Sequence, residues 1–172
     1  MDVEAVKEHM LKKQISADQT LAAVAPTADL IGLLQGRAHF IASKKFGKTT
    51  QHRGAISESE DSWIYWYHDF RKGQLAVLRI HLPEGSGQKQ SEDVASLLLD
   101  ALEEASAWDL PKVTVWDANP VVLRALDHLK DRHSVDVTSG QRHQRSIPSL
   151  RWNSGDRSKN VGLHCNEFFA WS

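Results

Sequence analysis

Arg79 and His81 are the two residues whose types and spacing point most directly to chemistry. They lie in residues 75–82, where aliphatic and β-branched side chains predict a strand. Being two positions apart, they share one face of that strand. A guanidinium holds an anionic group, and an imidazole exchanges protons near neutral pH. The pair therefore predicts a site for a small anionic or conjugated organic molecule, with His81 as acid or base.

Residues 63–70 supply aromatic rings to the same candidate site. This segment and residues 75–82 flank Arg71-Lys72-Gly73, which predicts an antiparallel hairpin. The register is open, so either of two sets lies beside Arg79. The sets are Trp66 with His68 and Tyr65 with Tyr67, and Trp63 adds a further ring. We expect the histidine and the tyrosines to be proton carriers and the tryptophans to contact the ligand.

Strict alternation along residues 75–82 also predicts the packing of the hairpin. It places Leu75 and Val77 on the face of Arg79 and His81, and it leaves a purely apolar face that must meet a helix. That second face consists of Ala76, Leu78, Ile80 and Leu82. The partner is the helix predicted over residues 92–107, which has apolar residues at helical spacing and Ser91 as its N-cap.

The remaining elements follow from periodicity and capping residues. The pattern predicts helices over residues 2–13, from Thr27 to Gly47 and from Asn119-Pro120 onward. It predicts short strands over residues 112–116 and 135–138, and a parallel crossover from the hairpin through its helix to residues 112–116. Residues 48–61 hold few apolar groups and are predicted to form a mobile loop. We expect one domain over residues 1–172.

Composition excludes several classes of function. The chain has 21 Lys and Arg against 22 Asp and Glu, a balance that provides no field for nucleic acid. The single cysteine, Cys165, excludes an internal disulfide framework, and the nine histidines lack metal-ligand spacing. No segment is apolar enough to cross a bilayer, and the first residues are acidic. We expect a cytoplasmic protein with no metal, no nucleic-acid partner and no membrane partner.

Five separated segments resemble a known family in the right order. They are residues 2–6, 37–47, 107–113, 147–152 and 166–171, which include Ala107-Trp108-Asp109-Leu110-Pro111 and Asn166-Glu167-Phe168-Phe169-Ala170-Trp171. Together they resemble the C-terminal domain of fungal lysine N-acetyltransferase-like proteins, within the Gcn5-related N-acetyltransferase (GNAT) fold. The resemblance implies an α/β (α+β) domain in which helices flank a mixed sheet. It also implies that the acetyl-CoA motif of the longer proteins lies outside the matching domain.

The resemblance identifies one loop as the place where acetyl-CoA would bind. In that fold an Arg/Gln-x-x-Gly-x-Gly/Ala loop cradles the pyrophosphate at a helix N-terminus. Here Gly85 and Gly87 keep the glycines, but Leu82 stands at the Arg/Gln position. Glu92 and Asp93, taken as the first helical turn, oppose a pyrophosphate and face only Lys89. We expect no CoA, with an acetyl-CoA site at Gly85, Gly87 and Lys89 as the alternative.

The resemblance places Arg151 and Trp152 near the substrate groove and suggests a fungal biosynthetic setting. Trp116 and Asp117, at the end of the predicted strand 112–116, are further candidate ligand contacts. The leading hypothesis is a CoA-independent enzyme that performs acid–base chemistry, such as cyclisation or isomerisation, on a small organic molecule. The alternatives are an acetyl-CoA-dependent N-acetyltransferase acting on an amine or amino acid, and a noncatalytic module that docks through Trp63, Trp66 and Phe168.

Overall fold

The computed structural model describes residues 19–23, 27–83, 87–116, 118–140 and 160–164. The helix predicted over residues 2–13 lies outside them. Within these ranges the chain forms nine elements. They are β1 (Gln19–Ala23), α1 (Ala28–Phe46), β2 (Gly54–Ile56), β3 (Trp63–Asp69), β4 (Gln74–His81), α2 (Gln88–Ala107), β5 (Val113–Thr114), α3 (Pro120–His133) and β6 (Asn160–His164).

The main sheet is mixed and has the strand order β2-β3-β4-β5. β2 and β4 both pair antiparallel with β3, whereas β5 pairs parallel with β4. The predicted hairpin and the predicted crossover through α2 are therefore confirmed. β1 and β6 form a separate two-stranded parallel sheet. The described part of the chain thus has the α+β architecture that the sequence predicts.

α1 begins and ends, and α3 begins, where the capping residues predict. The Thr27 hydroxyl accepts a hydrogen bond from the Leu30 backbone N–H at 3.2 Å, and Gly47 ends α1 in the left-handed region at φ 63°. Asn119 caps α3 by accepting from two backbone N–H groups, and Pro120 occupies its first turn. None of the described helices has the length and apolar character that a membrane span needs.

Helix α2 begins earlier than the sequence suggests. Its first residue is Gln88 and its N-cap is Gly87, which provides no side-chain cap. Ser91 is an internal residue, whose hydroxyl donates to the Gln88 carbonyl oxygen at 2.7 Å. The prediction of Ser91 as the N-cap was wrong because a serine can satisfy its hydroxyl within a helix as well as at its start. The first turn consequently contains no acidic residue.

Short strands were the least predictable elements. Only Val113–Thr114 of the predicted strand 112–116 pairs with β4, and residues 135–138 form no strand. Conversely, residues 48–61, predicted to be a loop, contain the strand β2. The predicted mobility of this segment stays a prediction. β2 packs closely on β3, since a Cβ on Gly54 would overlap the Ile64 carbonyl oxygen. A three-residue strand at a sheet edge carries too few side chains to show alternation.

A β-bulge in β4 changes which face each side chain occupies. Tyr65 lies opposite Arg79, but Trp66 lies opposite Val77, so Leu78 is an extra residue in β4. An extra residue shifts the alternation by one position. The predicted apolar face is therefore wrong in its first half, because Leu75 and Val77, not Ala76 and Leu78, pack with α2.

Two hydrophobic clusters result, one on each face of the sheet. The larger cluster joins the sheet to α2 and α3. On the opposite face, Tyr67, Ala76 and Leu78 pack against the apolar residues of α1. Beyond the bulge, Ile80 and Leu82 continue on the α2 side as predicted. Arg79 and His81 consequently lie on the α1 side.

Candidate functional site

The odd-numbered residues of β3 line the face that carries Arg79 and His81. Trp63 pairs with His81 and Tyr65 pairs with Arg79 across the hairpin. The Trp63 and His81 rings stack, with centroids 4.9 Å apart and an interplanar angle of 15°. The structure therefore resolves the open register in favour of the tyrosines. We call Trp63, Tyr65, Arg79 and His81 the hairpin site.

The hairpin site combines a deep charged group with partly accessible rings. Arg79 is 8% exposed, whereas Trp63, Tyr65 and His81 are half-buried. Trp63 also stacks on Tyr65 at 5.7 Å, which makes a continuous aromatic wall. A buried guanidinium beside stacked rings provides charge and a flat apolar surface together. Such a surface suits a flat anionic molecule.

The hairpin site lies where β4 and β5 separate. Their ladder consists of two residue pairs and stops at Ala76 and Thr114, whereas β4 continues to His81. Trp116, two residues beyond Thr114, packs with the Tyr67–Leu78 cluster on the same side of the sheet. The carboxyl ends of adjacent parallel strands are where an α/β sheet leaves room for a ligand. Trp116 and His81 lie at that end.

Tyr67 shares the face of the hairpin site but its hydroxyl serves another contact. The hydroxyl donates to Asp69 Oδ2 at 3.0 Å, toward the hairpin turn. Tyr67 is also 5% exposed. The role of Tyr67 as a proton carrier stays a prediction. Tyr65 is the stronger candidate for that role, because it pairs directly with Arg79 across the hairpin, whereas Tyr67 pairs with Ala76.

His68 and Trp66 lie on the opposite face, so the structure does not bring them together with Arg79. His68 is buried, and its Nε2 lies 2.8 Å from Glu104 Oε1 on α2. Trp108 Nε1 donates to the same oxygen at 2.8 Å. Trp66 is 2% exposed, which also removes it as a residue of an exposed docking surface. The bulge is the reason, because it moves Arg79 and His81 to the α1 side, whereas the even-numbered side chains of β3 lie against α2.

Burial determines the charge state of His68. Desolvation lowers the pKa of His68 below its ordinary value of 6.5, against the opposing effect of the hydrogen bond and charge of Glu104. Nearby Arg53 lowers it further. His68 is therefore neutral at pH 7. It donates its Nε2 hydrogen to the Glu104 carboxylate, since a carboxylate can only accept.

The stability of the fold is expected to fall as the pH drops below about 6.5. The unfolded chain protonates His68 near that pH, whereas the folded chain does so only at a lower pH, so acid favours unfolding. Urea unfolding between about pH 5.5 and 7.5 measures this. The variant His68→Gln keeps a donor for Glu104, and its free energy of unfolding should depend less on pH than that of the wild type. The exposed His39, changed to Gln, is the control, and equal slopes in all three proteins would contradict the interpretation.

The N-terminus of α2 differs from its predicted electrostatics. Glu92 and Asp93 lie in the second turn, and the first turn contains Lys89. The prediction that Glu92 and Asp93 occupy the first turn and oppose a pyrophosphate there was therefore wrong, because the helix begins four residues before Glu92. Leu82, at the Arg/Gln position of the family motif, packs against the main core. Gly85 lies outside the described residues.

Other predicted contacts cannot be placed. Asp117, Arg151, Trp152 and Phe168 lie outside the described residues. Sequence reasoning missed one group in the described part, the carboxylates of the second half of α2. Asp100, Glu103 and Glu104 recur at helical spacing on a helix with a clear apolar face, a pattern typical of a solvated surface. No cluster of His, Cys, Asp and Glu in the described ranges can hold a metal ion.

A mixed sheet, a β4–α2–β5 crossover and an open carboxyl end define a GNAT-like domain. The family model described as LYC1 GNAT-like C-terminal domain matches residues 1–172, and the chain belongs to this family. The chain is similar to the uncharacterized protein YGR111W of Saccharomyces cerevisiae, with 28% identity over 155 residues. The match covers 86% of this chain and 38% of that protein. No solved structure matches.

Proposed function

We propose that this domain binds a small, conjugated organic anion at the hairpin site and moves protons on it without CoA. The observation that carries the proposal is the bulge at Leu78, because it places Arg79 and His81 opposite Tyr65 and Trp63. Arg79 holds the anionic group of the ligand, and the aromatic wall packs on its conjugated part. His81 exchanges the proton.

The proposed chemistry is an isomerisation by proton transfer. His81 takes one proton from a carbon next to a carbonyl group and, as an imidazolium, returns it to the carbonyl oxygen, so the keto form becomes the enol and His81 ends neutral. The buried guanidinium of Arg79 stabilises the negative charge that develops in this step, because electrostatic interactions are stronger where water is partly excluded. The half-buried position of His81 leaves its ring accessible to a ligand.

Phenylpyruvate is a suitable probe, because it is an aromatic anion whose enolisation is followed by ultraviolet absorbance. We expect the full chain to accelerate enolisation over buffer. His81→Gln is expected to lower the rate about a hundredfold, the contribution of a positioned acid or base. Arg79→Gln is expected to weaken binding at least about tenfold through the lost charge-assisted hydrogen bond.

Matched controls remove the same chemical group elsewhere. Both His39 and Arg37 lie exposed on α1, so His39→Gln and Arg37→Gln should leave the rate and the affinity unchanged. Circular dichroism verifies that each variant is folded. A rate equal to buffer, or equal rates in the wild type and His81→Gln, would refute the proposed chemistry.

A second candidate, an acetyl-CoA-dependent N-acetyltransferase, is favoured by the N-terminus of α2. The helix begins directly after Gly87, without a side-chain cap and without an acid in its first turn. Free backbone N–H groups at such an end favour a phosphate. Against it stands Leu82, which packs in the core where the family motif has Arg or Gln. Calorimetric titration with acetyl-CoA decides: we expect no heat at millimolar concentration, and saturable binding would establish the second candidate instead.

A further inference from the structure

The outer face of α1 carries large apolar side chains that are open to solvent. Leu33 is 69% exposed and Phe40 is 62% exposed. The buried residues of this helix are Gln35, Ala38 and Ala42, and they lie on its opposite side, toward the sheet. Apolar side chains that are exposed together on one helix face are typical of an interaction surface.

Five residues form a continuous row along this outer face. They recur at intervals of four, three, four and four positions, a spacing that keeps side chains on one side of a helix. The residues are Asp29, Leu33, Gly36, Phe40 and Lys44, and all five are exposed. A Cβ at Gly36 would meet nothing within 4 Å, so the middle of the row is open. We call these five residues the α1 stripe.

The α1 stripe is complementary to its own reverse. Asp29 and Lys44 lie equally far along the chain from a point just after Gly36, and so do Leu33 and Phe40. Two copies of the helix that pack antiparallel about a two-fold axis at this point place each acid opposite a lysine. The same arrangement places each leucine opposite a phenylalanine. Charge and apolar contact are therefore matched in one register.

The charged ends of the α1 stripe favour this antiparallel arrangement. Among the described residues, neither Asp29 nor Lys44 forms an ion pair. Asp29 lies in the first turn of α1 and Lys44 in the last. In an antiparallel pair the first turn of one helix lies beside the last turn of the other, so opposite charges and opposite ends of the helix dipoles meet. Parallel packing would place like charges together.

Gly36 allows the two helices to approach closely. It lies next to the two-fold axis, where the absence of a side chain lets the backbones come together and the side chains of Leu33 and Phe40 interdigitate. Arg37 lies beside the axis and faces Gly36 of the other copy. Its long side chain extends along the rim, so the two guanidinium groups stay in water, which screens their repulsion.

We propose that the α1 stripe is the contact surface of a weak, symmetric homodimer of this domain. One helix from each copy buries less than the roughly 1,200 Å² of a standard interface, so we expect a Kd of about 0.1–1 mM. The chain is consequently a monomer at the micromolar concentrations of unfolding experiments. The α1 stripe contains no residue of the hairpin site, and the dimer does not depend on the proposed function.

Sedimentation velocity of the full chain, from about 10 µM to about 0.5 mM, tests this proposal. We expect the average sedimentation coefficient to rise with concentration and to fit a monomer–dimer equilibrium. Phe40→Ala should weaken association at least about tenfold, because a symmetric dimer loses the contact twice. Leu123→Ala removes an exposed leucine on α3 and is the control, which should associate like the wild type.

Charge reversals test the antiparallel register. Lys44→Glu places an acid opposite Asp29 at both ends of the dimer and should weaken association several-fold. Lys45→Glu makes the same change in the same turn but off the α1 stripe, so it should have much less effect. Asp29→Lys should also weaken association. An equimolar mixture of Asp29→Lys and Lys44→Glu should recover it, because each lysine then faces an acid of the other copy.

Three results would overturn the proposal. A wild-type chain that stays monomeric at the highest concentration excludes the homodimer and leaves the α1 stripe to a different protein partner. A dimer that forms equally well with Phe40→Ala uses another surface. Equal effects of Lys44→Glu and Lys45→Glu, or no recovery in the mixture, contradict the antiparallel register. All the substituted side chains are exposed, so each variant is expected to fold.

Discussion

Replacing Glu104 by alanine is expected to lower the free energy of unfolding by about 2–4 kcal/mol. The change leaves His68 Nε2 and Trp108 Nε1 without their shared acceptor. A change of tautomer does not rescue His68, because its Nδ1 is also buried without a partner. Urea unfolding monitored by tryptophan fluorescence measures the loss, since Trp108 contacts the substituted residue.

Glu103 provides the matched control for this prediction. It is the preceding residue of the same helix and is exposed, so Glu103→Ala is expected to change stability by less than about 0.5 kcal/mol. Both substitutions remove one negative charge and the same number of atoms. Similar losses in the two variants would mean that the hydrogen bonds of Glu104 contribute nothing particular to the fold.

Truncation of Leu78 to alanine is expected to cost about 2–5 kcal/mol, the usual range for a buried leucine. Leu78 is fully buried, and it packs the bulge against the apolar residues of α1. The cluster there is small, so the neighbours have few other side chains with which to fill the space. Because Arg79 follows directly in the chain, we also expect weaker binding of phenylpyruvate at temperatures where the variant is still folded.

Leu33 on α1 is the control for Leu78. It is 69% exposed, and Leu33→Ala is expected to alter stability by no more than about 0.5 kcal/mol. Thermal unfolding followed by circular dichroism compares the two variants with the wild type. A midpoint for Leu78→Ala within the range of Leu33→Ala would show that the bulge is not held by this contact.

Local features of the fold were readable from the sequence because they depend on few residues. Thr27, Gly47 and Asn119 mark helix ends by their own hydrogen bonds or backbone preferences. The hairpin followed from two aromatic and β-branched runs around a short turn. The start of α2 was misjudged, because a glycine N-cap leaves no side-chain signal and Ser91 offered a misleading one.

The candidate sites depended on features that composition does not encode. Arg79 and His81 were placed on one face correctly, since alternation holds over two residues. Leu75 and Val77 were wrongly assigned to that face, and the choice between the two aromatic sets stayed open, because a single extra residue in β4 exchanges the faces of everything beyond it.

The two faces of the sheet therefore differ in chemistry. The face toward α1 carries a buried cation and stacked rings, and the face toward the edge of α2 carries carboxylates. The chain spans 38% of the length of the yeast protein it resembles, so the activity of such longer proteins is a separate question from the chemistry of this domain.

The most direct measurement titrates phenylpyruvate into the full chain and follows the indole signals of four tryptophans. The account predicts that Trp63 and Trp116, on the α1 side, shift with saturation, while Trp66 and Trp108, on the α2 side, stay in place. Saturable shifts confined to Trp66 and Trp108, or no shift at any of the four, would contradict it.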